Sequence, residues 1–209
     1  MLSELGRKYG CDKVDQYHTF KGKTYFDVYE KYLNKFREEN ITFLELGVRD
    51  CASLKVWKEY FPKAKIVGID INPACRRYGA FGFHIEIGSQ GDTSFINDVI
   101  EKYGPFDIIL DDASHINELS LASFNQLSDH VKPGGLYIIE DLRNSYEDLT
   151  EDVKHWPGMH LNESTLSYNN AETRKDLDDR LLSIVKEFDY RRGNFESVHF
   201  HSQMVLLQK

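Results

Sequence analysis

From residue 41 onward the chain alternates short apolar runs with stretches of helical spacing, and nearly every apolar run ends in an acid. That alternation predicts a mostly parallel sheet with helices on both faces. Strands are expected at Ile41–Leu46, Lys65–Ile69, Phe83–Ile87, Phe106–Leu110 and Leu136–Ile139. The fourth is almost wholly apolar, as a strand covered on both faces should be. Helices are expected at Ser53–Tyr60, Thr93–Tyr103 and Asn117–His130, and again where Leu177, Leu181, Ile184, Val185 and Phe188 recur. Pro62 ends the first of these, and Pro133-Gly134-Gly135 reads as a turn. Phe195–Phe200 and Met204–Leu207 read as an antiparallel hairpin closing the sheet edge.

Two segments stand outside this rhythm. Residues 1–40 read as a helical arm over the cleft, with Tyr25, Val28, Tyr29, Tyr32 and Phe36 at helical spacing within Thr24–Arg37. These aromatic residues read as core. Residues 41–209 then form the main domain. Within it, a polar, irregular stretch containing Trp156 and Pro157 reads as a lid insertion at about 143–175.

Charge narrows the range of partners. The chain of 209 residues carries 26 basic and 34 acidic side chains, a net charge of −8. That argues against a nucleic-acid footprint and against a polybasic membrane surface. No run approaches the roughly 20 apolar residues of a membrane span, and MLSELGRKYG lacks a signal-peptide core. Cys11, Cys51 and Cys75 form no CxxC pair, which suits reduced thiols and a cytoplasmic setting.

The acids carry the functional signal. Glu45 lies in the first strand, Asp70 follows the second, Asp111-Asp112 the fourth and Glu140-Asp141 the fifth. Ligands of open α/β sheets bind outside the carboxyl ends of the strands. Acids gathered there repel and call for a cation, a proton or ligand donors. Gly47 would let backbone approach a ligand, and Asp70, 23 residues on, sits near the spacing of an acid that holds ribose hydroxyls. The G-x-G-x-x-G fingerprint is absent, which counts against NAD. Asp112, Glu140 and Asp141 are candidate ligands for Mg²⁺ or Mn²⁺, oxygen donors suiting those ions better than Zn²⁺. His115, three residues past Asp112, is the candidate general base.

Several stretches are familiar together. They are Phe43-Leu44-Glu45-Leu46-Gly47-Val48 with Ser53-Leu54, Val67-Gly68-Ile69-Asp70, Gln90-Gly91-Asp92, the run Asp111-Asp112-Ala113-Ser114-His115, and Pro133-Gly134-Gly135-Leu136-Tyr137-Ile138-Ile139-Glu140-Asp141. The arm adds Lys8-Tyr9-Gly10-Cys11-Asp12-Lys13, followed by His18. The sequence resembles S-adenosylmethionine-dependent class I methyltransferases, and more narrowly the metal-dependent sugar O-methyltransferases of macrolide, aminocoumarin and surface-glycan pathways. The resemblance implies a Rossmann-like sheet, mostly parallel with a C-terminal antiparallel hairpin. It implies S-adenosyl-L-methionine and Mg²⁺ (or Mn²⁺) as cofactors, a sugar acceptor and a homo-oligomer. It places Glu45, Gly47 and Ser53 at the methionine end of the donor, Asp70 on the ribose, and Gln90 and Asp92 beside the adenine, with Asp111 also among the donor-binding residues. Asp112, Glu140 and Asp141 would bind metal. His115, with Asp112, would serve catalysis by taking the proton of the acceptor hydroxyl.

Other readings stay open at this point. A catechol-type methyltransferase shares sheet and metal; a nicotinamide oxidoreductase shares the strand-end acid; a binding module would keep the cleft without chemistry.

Overall fold

The computed structural model describes residues 1–146, 169 and 171–209, so most of the expected lid lies outside the described residues. The chain opens with α1 (Leu2–Tyr9), a two-stranded ribbon of β1 (Thr19–Phe20) and β2 (Lys23–Thr24), and α2 (Tyr25–Leu33). The main sheet is built from β3 (Thr42–Leu46), β4 (Lys65–Asp70), β5 (His84–Ile87), β6 (Phe106–Asp111), β7 (Val131–Ile139), β8 (Ser197–His201) and β9 (Met204–Gln208). The helices α3 (Ala52–Tyr60), α4 (Thr93–Tyr103), α5 (Asn117–Leu127) and α6 (Ala171–Asp189) connect them.

The strand order is β5-β4-β3-β6-β7-β9-β8. The first five are parallel, β9 runs antiparallel on β7, and β8 antiparallel on β9. The order reverses between β3 and β6, so the carboxyl ends of these two strands flank the crevice where such sheets bind ligands. Side-chain alternation divides the core into two layers. Phe43, Ile108, Leu136 and Ile138 face a layer completed by Trp57, Phe61 and the arm residues Leu2, Phe26, Tyr29 and Leu33. Leu44, Ile109, Tyr137 and Ile139 face the other, against Phe124, Leu127, Leu177 and Ile184.

Residues 1–40 thus pack on one face of the sheet beside α3. Trp57 is fully buried and meets Phe26 and Tyr29 edge-on, with ring centroids 5.4 and 5.7 Å away. Truncating such a side chain to Ala costs about 3–5 kcal/mol. α2 starts where the sequence can cap it: the Thr24 hydroxyl accepts from Asp27 N–H and the Asp27 carboxylate accepts from Thr24 N–H, a reciprocal capping box. It gives way to a 3₁₀ turn at Asn34–Phe36, short of the expected helix end at Arg37.

One local reading is corrected. Pro133-Gly134-Gly135 lies within β7 rather than forming a turn before it. The register against β6 shifts between Phe106 and Ile108, and a Cβ on Gly135 would stand 2.5 Å from the Asp107 carbonyl oxygen. The Pro-Gly-Gly run therefore marks an irregularity inside a strand. Among the described residues, no helix is long and apolar enough to cross a membrane.

Candidate active site

Two cavities meet at the carboxyl ends of β3, β4, β6 and β7. The larger, about 490 Å³, is lined by Gly47, Asp70, Asn72, Gln90, Asp112 and His115 among others. The smaller, about 100 Å³, lies under the arm between Cys11, Lys13, His18, Ser53, Asp112 and Asp141. Gly47, Asp112 and His115 border both.

The larger cavity is shaped mainly by backbone. Gly47 has φ +91°, and its amide donates to the Ile69 carbonyl at 2.9 Å. A Cβ there would approach the Asp112 carbonyl oxygen to 2.3 Å, so only glycine lets β3 turn this close to β6. The Asp70 carboxylate pins the next residues, accepting from Val48 and Arg49 N–H at 2.9 Å each and from Asn72 N–H at 2.8 Å. Gln90 is buried on the wall, its amide donating to Ser123 Oγ at 3.1 Å.

Below the turn, Glu45 is fully buried. Its Oε2 accepts from Trp57 Nε1 at 3.0 Å, and its Oε1 has no hydrogen-bond partner among the described residues. Burial, with the charge of Asp112, pushes its carboxyl up to about 8 against the pull of Lys13 and the hydrogen bonds of Ser53 and Trp57.

Two sequence candidates turn away from the cavities. Asp111 and Asp112 are consecutive, so they project to opposite faces. Asp111 is buried, accepts from Ser123 Oγ at 2.8 Å and borders neither cavity. Burial raises its carboxyl to about 7, opposed by the Ser123 hydrogen bond. Asp92 also borders neither; it caps α4, accepting from Ser94 and Phe95 N–H at 2.9 and 3.1 Å. Asp111 is thus held by the Ser123 hydroxyl and Asp92 by the first turn of α4.

The smaller cavity is made by charge. Asp112, His115 and Asp141 each present a ligand atom, all within 4.8 Å of one another. His115 Nε2 stands 3.6 Å from Asp141 Oδ2. Ser114, His115 and Asp141 have φ values of 49°, 54° and 55°, a left-handed backbone rare for such residues. Ser114 borders the larger cavity, Asp141 the smaller and His115 both, which fits a site where the fold holds strain for a purpose.

Glu140 points elsewhere. Only 4% exposed, it accepts from Lys13 Nζ at 2.5 Å and from the Tyr29 hydroxyl. Lys13 Nζ also donates to Asp112 Oδ2, so one ammonium spans two of the three expected ligands. Asp141 Oδ1 accepts from the Tyr25 hydroxyl at 2.7 Å and lies 3.6 Å from His18 Nε2. The arm therefore answers all three carboxylates, through Lys13, His18, Tyr25 and Tyr29.

Electrostatics follow from this clamp. Burial opposes the Lys13 charge, but Asp112 and Glu140 hold it protonated well above the ordinary lysine range. Burial likewise opposes a charged His18, yet hydrogen bonds and attraction from Asp141 and Asp15 raise it to about 9. Asp141, despite burial, is held well below the carboxylate range by His18, His115 and Tyr25.

Sequence reasoning missed the clamp. Tyr25 and Tyr29 looked like core, and they are; but a buried phenol needs a partner, and their four-residue spacing aims both hydroxyls at one place. Lys13 and His18 stand out only as part of the arm's family resemblance, with no role attached to either.

A sheet of this order, with a reversed final hairpin and a glycine turn between β3 and an acid ending β4, is the class I methyltransferase fold. Its homologues are sugar O-methyltransferases from macrolide and tetracenomycin pathways. The chain is 35% identical to mycinamicin VI 2''-O-methyltransferase of Micromonospora griseorubida, over 76% of this chain and 38% of that protein. It is 35% identical to L-olivosyl-oleandolide 3-O-methyltransferase of Streptomyces antibioticus, over 75% of this chain and 39% of that protein. The crystal structure of MycE methyltransferase from the mycinamycin pathway, in complex with Mg, SAH and mycinamycin VI, superposes with a TM-score of 0.76 at 28% identity, covering 100% of this chain and 54% of that one. The chain thus spans about half the length, or less, of the relatives it matches. No family model matches it.

Proposed function

We propose that this chain binds S-adenosyl-L-methionine in the larger cavity and methylates a sugar hydroxyl with the help of Mg²⁺ (or Mn²⁺) held in the smaller one. The observation that carries the reading is the meeting of Asp112, His115 and Asp141 where the two cavities share a wall. The homology to sugar O-methyltransferases supports the acceptor class.

The residues fit both groups. Two carboxylate oxygens with an imidazole alongside form a donor set suited to a hard divalent ion. The unpartnered Glu45 Oε1 sits beneath the turn where the methionine end of the donor would carry an ammonium group. In this reading Asp112 and Asp141 hold the metal with Glu140 behind them, and Asp70 and Gln90 line the ribose and adenine side. A bound divalent ion would stabilise developing negative charge on the acceptor oxygen and orient it. His115, held against Asp141, takes the hydroxyl proton. The arm, residues 1–40, shuts water out of the smaller cavity and belongs to the active site. We place the protein in the cytoplasm, without a nucleic-acid partner, as its net charge of −8 suggests, and as a homo-oligomer by analogy with related enzymes.

The test is methyl transfer from labelled donor to a panel of deoxysugar glycosides and catechols, before and after exhaustive chelation. Transfer to glycosides, lost on chelation and restored by Mg²⁺, is the expected result. Indifference to chelation would remove the metal, and preference for catechols would change the acceptor class.

A further inference from the structure

Lys13 is the arm residue with the least freedom to be incidental. It is 2% exposed, and its ammonium sits between Asp112 Oδ2 and Glu140 Oε2. The two carboxylates come from neighbouring strands, β6 and β7, and Lys13 joins them from 99 and 127 residues away. The Asp112 oxygen is one that a divalent ion held between Asp112 and Asp141 would need. One oxygen cannot be fully engaged by an ammonium and a hard cation together, and two positive charges about 4 Å apart repel.

We propose that Lys13, anchored on Glu140, is a built-in counter-cation that competes with the divalent ion for Asp112. It is a positioning residue and touches no reacting atom. The inference rests on the metal reading above and deepens it. Without metal, the ammonium keeps two buried carboxylates compensated and holds the arm on the sheet. With a divalent ion bound, Asp112 would leave Lys13 for the Asp141 side, where His115 stands, and Lys13 would stay with Glu140 and Tyr29. The affinity of the site is thereby set lower than three carboxylates alone would give, and metal exchange is coupled to the seating of the arm.

Removing the ammonium should therefore tighten metal binding while loosening the metal-free protein. Mn²⁺ binding, followed by the loss of the free-ion electron paramagnetic signal at fixed pH and ionic strength, measures the first effect. Thermal melting without metal measures the second. Lys13→Met should bind Mn²⁺ roughly tenfold more tightly than wild type, equivalent to about 1.4 kcal/mol, and should melt lower when metal-free. Lys13→Gln, which keeps a hydrogen-bond donor without the charge, should show the same direction and serves if the Met variant does not fold. Lys13→Arg should bind no tighter than wild type. Equal or weaker Mn²⁺ binding by the folded neutral variants would overturn the competition while leaving the metal site standing. No Mn²⁺ binding by wild type would overturn the metal reading itself, and this inference with it.

Discussion

The two cavities share a wall but are built by different means. The larger is nearer to local: Gly47, Asp70 and Gln90 lie at or just after the carboxyl ends of β3, β4 and β5, and its shape comes from backbone approach and hydrogen bonds between these adjacent strand ends. The smaller is assembled at long range, with Lys13, His18, Tyr25 and Tyr29 reaching carboxylates more than 90 residues away in sequence. A pocket built from turns is specified wherever the strands form. A pocket built from opposed charges exists only once the arm has docked, and each half is costly without the other.

The contrast can be broken at its shared wall first. His115→Ala should leave donor-product binding to the larger cavity intact and lower turnover by roughly 10²–10⁴-fold; calorimetry with S-adenosylhomocysteine, set beside a turnover assay, separates the two. Wild-type-like turnover would remove His115 from the chemistry. Gly47→Ala should do the reverse, damaging the larger cavity. Its Cβ would meet the Asp112 carbonyl at 2.3 Å with φ at +91°. Such strain costs about 1–3 kcal/mol, and product affinity should fall about tenfold or more; unchanged affinity would show that the turn has room to spare.

A smaller effect sharpens the comparison beneath the wall. The Glu45 carboxyl stands near 8 in the folded chain, against an ordinary value of 4.5. Its neutral form is the stabilising one, so that contribution is complete below about 4.5 and is lost as pH rises through about 8. Glu45→Gln keeps a neutral side chain, so wild type should melt progressively lower than the variant as pH rises across this window. Parallel melting curves would show that Glu45 ionises without cost. The smallest effect belongs to the exposed rim, where Arg49 pairs with Asp12 at 2.5 Å with its side chain 77% exposed. Arg49→Ala should change the stability of the metal-free protein by less than about 1 kcal/mol, and a larger drop in melting temperature would show that the arm is latched at this rim.

The legibility of the site followed the same division. The strand-end acids and the glycine turn could be read because each sits at a fixed position relative to an apolar run. The same positional reading picked out Asp111 and Asp92, which are engaged by Ser123 and by the first turn of α4. It detects an acid at a strand end or helix start but not which way the side chain turns, and one residue of strand alternation sends Asp111 away from Asp112. In β7 it took the Pro-Gly-Gly run for a turn, since a mid-strand irregularity uses the same residues.

The sequence by itself determined the α/β alternation, the parallel core with its reversed hairpin, and the gathering of acids at one edge. Periodicity and strand-end position are local properties, and they survive any choice of neighbours. Only the tertiary structure decided which carboxylates converge and what answers them. Asp112 and Asp141 meet beside His115, while Glu140 is turned toward Lys13 and Tyr29. The reason is electrostatic: a buried acid takes the nearest compensating donor, and which donor is nearest depends on how the arm packs against the sheet.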